Sequence, residues 1–347
     1  MEDVVSVIHE NGIGQITLNR PKALNSLNTS MLMKIKETLT AWRNDDRVVV
    51  ILLDGAGEKG FCAGGDIKML YAAKDSEAKK LEALTFFEVE YNVDLMVAEY
   101  PKPIVAILDG IVMGGGVGLS YGASHRIITE KTKWAMPEMN IGFFPDVGAA
   151  YFLNQTPGYI GRYLALTSEV IAKEDILYSR AADHYIETAN LTEFMEAFLQ
   201  GDWKANNIND SITTFIQDFE SSLAMEKSNL ARFKEKIDQH FSYETVEAII
   251  ASLSRDSDTF SVQIKETILS KSPTSVKVTL QQLIRGEGES LKTCLATDKI
   301  IAKRFLSHDD FYEGVRSVII DKDQNPQYQY HKLSDVTDQL VESFFQK

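Results

Sequence analysis

This 347-residue chain has only two cysteines and six histidines. Cys62 and Cys294 lie far apart, which excludes a disulfide framework and a paired-cysteine metal site. The six histidines never stand at metal-ligand spacing, so we expect no metal. No apolar run reaches the ~20 residues of a membrane span, and the N-terminus does not resemble a secretory signal. These absences favour a cytoplasmic protein.

Basic residues are also fewer than acidic ones. Lys and Arg total 36 against 50 Asp and Glu, which gives a net charge of -14. Such an acidic surface argues against a nucleic-acid partner and against docking on an anionic membrane. It does not exclude an anionic small molecule, because the charge of a pocket can differ from the mean. The length allows one large domain or two smaller ones.

Two common catalytic motifs are missing. No Gly-x-Ser-x-Gly elbow occurs, so a serine hydrolase is disfavoured. The glycines of residues 113–118 lack the spacing of the dinucleotide fingerprint, and no acidic partner follows at the required distance. Cys62 has no nearby histidine to activate it, so a packing role is the better interpretation.

Strand and helix patterns alternate in the first half of the chain. Asn11-Gly12 predicts a hairpin between strands at residues 4–9 and 14–18. Further patterns predict helices at 30–42 and 81–98, buried strands at 48–53, 104–108 and 126–129, and a glycine-rich loop at 55–65. Strands separated by helices favour an α/β fold with a parallel sheet.

The sequence pattern changes in the second half of the chain, where glycine becomes sparse after about Asn190 and the periodicity is helical. Helices are predicted at residues 191–200, 211–219, 244–253, 261–270, 275–285 and 291–305. We therefore divide the chain into a core of residues 1–195 and a mostly helical C-terminal region of residues 196–347 packed on it. Whether this region folds independently does not follow from the pattern.

The triple glycine Gly114-Gly115-Gly116 is the most informative feature. The main chain can approach a ligand there, and a following helix start leaves N–H groups unpaired. Such amides stabilise an anion or a developing oxyanion. The alternative is that the glycines only allow close packing. Gly64-Gly65 lies in a second predicted loop, so two loops together can supply an oxyanion hole with two donors.

Carboxylates lie near these glycines and in a third loop segment. Asp66 is better interpreted as the N-cap of the next helix than as a catalytic group. Glu138 and Asp146 stand in an apolar stretch, residues 136–148, that Pro and Gly interrupt. Partial burial would raise their pKa values and suit them to acid–base or nucleophilic chemistry. The alternative is structural: Glu138 caps one helix and Asp146 opens the next.

Together these segments resemble the crotonase (enoyl-CoA hydratase/isomerase) superfamily. The resemblance rests on residues 19–27, 61–67, 110–119 and 136–146, and it covers nearly the whole chain. It implies a spiral of ββα turns with a helical C-terminal region. It also implies an acyl-CoA thioester whose carbonyl oxygen lies between two backbone N–H groups. Residues 271–275, 310–316 and 321–323 resemble the thioester-hydrolysing branch.

The resemblance assigns site residues position by position. The two oxyanion-binding amides would belong to Gly65 and Gly115. Glu90 aligns with a substrate-contacting glutamate, the alternative being a solvated helix face. Five more residues would lie near the CoA: Ala23, Leu24, Ala63, Asp66 and Ile67.

Two departures from the hydratase pattern point to the hydrolase branch. Hydratases place a glutamate where this chain has Gly118, and they tend to have glycine where it has Asp146. The resemblance therefore implies hydrolysis of a short branched 3-hydroxyacyl-CoA, such as 3-hydroxyisobutyryl-CoA in valine breakdown. Glu138 would be nucleophile or general base, and Asp146 would position the attacking group or the 3-hydroxyl. No cofactor is expected, since CoA is part of the substrate.

Three alternatives stay open. The first is an enoyl-CoA hydratase or isomerase on the same fold, which Gly118 disfavours. The second is a non-catalytic acyl-CoA-binding subunit, which the presence of Glu138 and Asp146 disfavours. The third is another thioester enzyme of the superfamily, such as a decarboxylase. The superfamily often forms trimers or hexamers, so the resemblance implies a homo-oligomer. The longer C-terminal region is a reason to expect a number of subunits other than three or six.

Overall fold

A computed structural model describes residues 2–203 and 207–346. Its strands are β1 (Val4–Ile8), β2 (Ile13–Leu18), β3 (Val50–Gly55), β4 (Gly60–Cys62), β5 (Ile104–Leu108), β6 (Ile111–Met113), β7 (His125–Ile128), β8 (Lys133–Ala135) and β9 (His184–Tyr185). Its α-helices are α1 (Thr29–Trp42), α2 (Ile67–Tyr71), α3 (Glu77–Ala98), α4 (Gly115–Tyr121), α5 (Ala149–Leu153), α6 (Ile160–Thr167), α7 (Lys173–Tyr178), α8 (Thr188–Gln200), α9 (Ile208–Gln217), α10 (Asn229–Phe241), α11 (Val246–Leu253), α12 (Thr259–Leu269), α13 (Pro273–Gly286), α14 (Leu291–Phe305), α15 (Asp309–Val315) and α16 (Asp338–Ser343).

Six strands form one sheet in the order β1-β2-β3-β5-β7-β9. β1 and β2 pair antiparallel with Ile8 opposite Gly14, which confirms the hairpin predicted at Asn11-Gly12. Every other neighbouring pair in this sheet, from β2–β3 to β7–β9, is parallel. The predicted parallel sheet is therefore confirmed.

A second sheet consists of the short strands β4, β6 and β8. Each follows a strand of the larger sheet along the chain, and α2 and α4 come after β4 and β6. This is the repeated ββα order that the resemblance implies. The loop predicted over residues 55–65 is wrong where β4 lies, because Gly60 and Cys62 pair with Ile111 and Val112. A local pattern cannot reveal such a distant partner.

Beyond β9, every regular element in the described residues is a helix. The six helices predicted there correspond to α8, α9 and α11–α14, with ends that agree within three residues. Side-chain oxygens of Thr245, Asp258, Ser272 and Ser290 accept N–H groups at the starts of α11–α14. These caps satisfy donors that a helix start otherwise leaves unpaired.

The chain forms two compact units whose segments alternate along the sequence. Unit 1 takes its residues from Met1–Gly65, Asn92–Trp134 and Ile171–Ser228. Unit 2 takes its residues from Asp66–Tyr91, Ala135–Val170 and Asn229–Lys347. The division into residues 1–195 and 196–347 stays a prediction.

Each unit has its own core. In unit 1, Val50 and Val105 of the larger sheet pack with Phe194 of α8 and Ile212 of α9. In unit 2 the core is rich in aromatic side chains. Its rings include the stacked pairs Phe87–Phe143, with centroids 5.7 Å apart, and Phe144–Phe305, with centroids 5.4 Å apart.

Candidate active site

Unit 1 brings the two glycine segments together. Gly64 has a φ angle of +98°, and a Cβ built on it would lie 3.1 Å from the carbonyl oxygen of Met113. The same Cβ would lie 3.3 Å from the amide nitrogen of Gly115. A side chain at position 64 would therefore crowd the start of α4, and the left-handed backbone also favours glycine.

The amides of Gly65 and Gly115, which we call the amide pair, donate no hydrogen bond to another described residue. Gly115 is the first residue of α4, so its N–H has no acceptor one turn earlier. The sequence pattern predicts a loop over the triple glycine with a helix start after it, which is wrong, since Gly115 and Gly116 already lie within α4. Gly116 has a packing role, because its Cβ would lie 2.5 Å from the carbonyl oxygen of Cys62. Packing does not explain the two free amides.

A third segment of unit 1 is hydrogen-bonded to the Gly64 loop. Leu27 donates its N–H to the carbonyl oxygen of Gly64 at 2.8 Å, and Ala63 donates to that of Leu24 at 3.0 Å. Ala23 and Leu24 therefore lie at the same loop as Ala63. Contact of these three residues with CoA stays a prediction.

Asp66 occupies the N-cap position of α2, which begins at Ile67. Its side chain makes no capping hydrogen bond, so the interpretation of Asp66 as a side-chain cap is wrong. The ψ angle of 86° departs from the extended backbone that directs a capping side chain toward the helix. A role of Asp66 and Ile67 in CoA binding stays a prediction.

Unit 2 brings Glu138 and Asp146 into one buried cluster. Glu138 begins the 3-10 helix Glu138–Ile141 and is 7% exposed, and Asp146 is 5% exposed. The phenol of Tyr91 on α3 donates a hydrogen bond of 2.7 Å to Oδ2 of Asp146. We call Glu138, Asp146 and Tyr91 the acid cluster. Among the described residues, Oε2 of Glu138 has no hydrogen-bond partner, so this buried oxygen is not used by the fold.

Burial and charge shift the pKa values of the acid cluster. Burial raises the pKa of Glu138 well above its ordinary value, and the charge of Asp146 raises it further. Burial also raises the pKa of Asp146, while the hydrogen bond from Tyr91 opposes that rise. Burial and nearby carboxylates raise the pKa of Tyr91, which keeps its proton. The two carboxyl groups therefore titrate as a pair, and both ionise at a higher pH than ordinary carboxyl groups do.

Close backbone contacts hold the turn after Glu138. The N–H of Phe143 donates to the carbonyl oxygen of Glu138 at 3.1 Å. A Cβ on Gly142 would lie 2.3 Å from the carbonyl oxygen of Asp310, and one on Gly314 would lie 2.3 Å from a carbonyl carbon of this turn. Ser272 donates its hydroxyl to Asp310 at 2.5 Å. The segments 271–275 and 310–316, singled out in the sequence, thus support the turn that carries Glu138.

Glu90 precedes Tyr91 on α3 and is 2% exposed. The alternative of a solvated helix face is therefore wrong, because Phe86, Phe87 and Tyr91 are buried as well and α3 is covered on more than one side. Sequence reasoning missed Tyr91, for which the only signal was a hydroxyl-bearing ring in an apolar helix. The role of Glu90 toward the substrate stays a prediction.

Within residues 2–203 and 207–346, no three His, Cys, Asp or Glu side chains are arranged to hold a metal ion. No helix of that part of the chain is long and apolar enough to cross a membrane. The expectation that the protein needs no cofactor stays a prediction.

Residues 13–345 match the sequence model of the enoyl-CoA hydratase/isomerase family. The chain therefore belongs to the enoyl-CoA hydratase/isomerase family of enzymes, and the predicted crotonase resemblance is confirmed. The α/β fold with a helical C-terminal region is confirmed as well, since solved crotonase-type structures match it over the whole chain.

Individual relatives carry different names. The mitochondrial 3-hydroxyisobutyryl-CoA hydrolase of Mus musculus is 39% identical over 335 residues, which cover 96% of this chain and 86% of that protein. A solved carnitinyl-CoA dehydratase from Mycobacterium thermoresistibile is 35% identical with a TM-score of 0.92, covering 100% of this chain and 97% of that one. A solved enoyl-CoA hydratase from Rhodobacter sphaeroides is 31% identical with a TM-score of 0.88, covering 99% and 97%. Family membership alone therefore does not choose the reaction.

Proposed function

We propose that this enzyme hydrolyses 3-hydroxyisobutyryl-CoA to 3-hydroxyisobutyrate and CoA. The observation that carries the proposal is the acid cluster, in which a buried Glu138 keeps one oxygen without a partner beside an ionisable Asp146. Relatives named 3-hydroxyisobutyryl-CoA hydrolase, 39% identical over 96% of the chain, support the same substrate. They also support the coarser assignment of acyl-CoA thioester hydrolysis.

The proposed reaction begins at the thioester carbonyl. The N–H groups of Gly65 and Gly115 donate to the carbonyl oxygen as negative charge develops on it. The Glu138 carboxylate attacks the carbonyl carbon, the C–S bond breaks, and CoA leaves as a thiolate that takes a proton from solvent. Water then hydrolyses the mixed anhydride, which releases the acid and restores the Glu138 carboxylate.

A second route uses the same residues without a covalent intermediate. Glu138 takes a proton from a water molecule as that water attacks the thioester directly. In both routes Glu138 must be ionised, and Asp146 positions the attacking group or the 3-hydroxyl of the substrate. Glu90 contacts the acyl part. The CoA lies on the loop residues Ala23, Leu24, Ala63, Asp66 and Ile67.

Hydration of an enoyl-CoA is the second candidate. Solved relatives named dehydratase and hydratase, 35% and 31% identical, favour it. The hydratase pattern requires a second glutamate at the position of Gly118, and glycine supplies no carboxylate there. The single Glu138 therefore supports hydrolysis over hydration.

Two substrates separate these candidates. The purified protein is incubated with 3-hydroxyisobutyryl-CoA and with crotonyl-CoA, and free thiol and enoyl absorbance are followed. Thiol release from the first substrate alone, lost in Glu138→Gln, supports hydrolysis. Loss of enoyl absorbance without thiol would make the enzyme a hydratase. Turnover in ¹⁸O-labelled water tests the covalent route, because label entering Glu138 requires the anhydride.

Location and assembly are also proposals. We keep the cytoplasmic location and the homo-oligomer as predictions, while the name of the mouse relative includes the word mitochondrial. Cell fractionation tests the location, and light scattering of the purified protein tests the assembly.

A further inference from the structure

The turn that carries Asp146 has an unusual backbone. Val147 has a φ angle of 51° and Gly148 a φ angle of 81°, so two successive residues are left-handed. For a β-branched residue such as Val147 this conformation is a strained outlier, which persists only where the surroundings impose it. We call residues 145–148 the Asp146 turn.

Two buried side chains hold this turn on both sides of Asp146. Gln282 on α13 donates from Nε2 to the carbonyl oxygen of Pro145 at 2.8 Å. Gly148 donates its N–H to Oδ2 of Asp298 on α14, also at 2.8 Å. Gln282 also donates to Oδ1 of Asp298 at 2.8 Å, which joins the two side chains. Gln282 is 1% exposed and Asp298 is fully buried, so water does not compete for these bonds.

The helices that carry this pair pack closely around the turn. A Cβ on Gly148 would lie 2.4 Å from a methyl carbon of Leu291, at the start of α14. Asn154, just after α5, donates its side-chain amide to the carbonyl oxygen of Leu283 on α13 at 2.8 Å. Both helices therefore contact the turn or the helix that follows it, which fixes the positions of Gln282 and Asp298.

A carboxyl group at position 298 is costly to the fold. Burial raises the pKa of Asp298 well above its usual range, and the charge of Asp146 raises it further. A fully buried acid next to another acid destabilises the folded state unless hydrogen bonds offset its desolvation. Both oxygens of Asp298 accept a hydrogen bond. One bond comes from Gly148 in the Asp146 turn, and the other comes from Gln282, which in turn bonds Pro145.

We propose that Gln282 and Asp298 are positioning residues for Asp146. They act through the backbone of Pro145 and Gly148, and they fix where the Asp146 carboxylate stands in the acid cluster. Their effect on turnover rests on the proposed thioester hydrolysis, whereas their effect on the backbone does not.

The kinetic test uses Gln282→Leu, which keeps the side-chain volume but removes both donated bonds, and Asp298→Ala. The matched control is Gln281→Leu, the neighbouring residue on α13, which is half-buried and outside this network. We expect kcat for thiol release to fall about 10- to 100-fold in the first two variants, with KM within about threefold. Asp298→Asn keeps an acceptor for Gly148 and should recover part of the loss.

A second readout does not depend on activity. Amide hydrogen–deuterium exchange of residues 146–149 in the substrate-free protein should be faster in Gln282→Leu and Asp298→Ala than in the wild type or Gln281→Leu. Unchanged exchange would show that Gln282 and Asp298 do not fix the backbone of the Asp146 turn. Faster exchange with unchanged kcat would show that fixing this turn does not position Asp146 for the reaction. If the wild-type protein releases no thiol, the proposed function is wrong, and the exchange comparison still decides whether the pair holds the turn.

Discussion

The amide pair of unit 1 and the acid cluster of unit 2 differ in the kind of group that they present. The amide pair consists of backbone N–H groups, which do not titrate near neutral pH and depend only on the path of the main chain. The acid cluster consists of side chains whose charge depends on burial and on one another. The proposed chemistry can therefore be damaged in two separable ways, by displacing donors or by changing proton affinities.

The largest effect is expected from Glu138→Gln, which removes the carboxylate that both proposed routes require. We expect kcat for thiol release to fall by about 10⁴-fold or more, with little change in KM. Glu88→Gln is the matched control, because Glu88 lies on α3 with its side chain 56% exposed and paired with Lys299. Near-normal turnover in Glu138→Gln would remove the acid cluster from the mechanism.

The next largest fall in kcat is expected when the amide pair is displaced. In Gly64→Ala the added methyl group meets the backbone of Met113 and Gly115 and displaces the amide pair. Losing one such donor costs about 10²- to 10³-fold in kcat. Gly288→Ala is the control, since Gly288 also has a positive φ angle, of 76°, but open space around it. Equal kcat values in the two variants would contradict the proposed role.

The pH dependence of kcat in Tyr91→Phe distinguishes the titrating acid cluster from the non-titrating amide pair. The wild-type rate should rise with pH as the two carboxyl groups of the acid cluster ionise, with a midpoint above that of an ordinary carboxyl group. The hydrogen bond from Tyr91 lowers the pKa of Asp146, so its removal makes the doubly ionised cluster harder to reach. We expect the rising limb to move to higher pH, with kcat near neutral pH about tenfold lower. Gly64→Ala should leave the limb in place, because amides do not titrate, and an unmoved limb in Tyr91→Phe would argue against a role of the Tyr91 hydrogen bond in ionising the acid cluster.

The smallest effect is expected on stability, with opposite signs in the two regions. The pKa of Glu138 is raised in the folded state, so stability is lost as pH rises from the unfolded pKa toward the folded one. At neutral pH, Glu138→Gln should therefore raise Tm, by about 2–4 °C for each kcal/mol recovered, and near pH 4 the gain should shrink. Gly64→Ala should lower Tm. Calorimetry at both pH values checks this, and a lower Tm for Glu138→Gln at neutral pH would contradict it.

The two regions also differ in how much of them the sequence predicts. Gly64 and Gly115 are visible in the sequence because glycine marks a local requirement of the backbone. The surroundings of Asp146 are not, since its hydrogen-bond donor Tyr91 lies 55 residues away and Asp298 lies on a helix of the C-terminal region. Burial of Glu90 escaped prediction for the same reason, because a helix pattern shows which side chains are polar and not what covers them. The sheet and the helices follow local periodicity, which is why they were predictable.

The alternating segments of the two units have a consequence for synthesis of the protein on the ribosome. Unit 2 needs residues from Asn229–Lys347, so its earlier segments emerge long before it can close. Phe143 and Phe144 leave the ribosome about 160 residues before their ring partner Phe305, a delay of roughly 10–30 s at ~5–20 residues per second. Throughout that interval the nascent chain exposes aromatic surface, so a chain cut short before α14 is a ready substrate for chaperones and for aggregation.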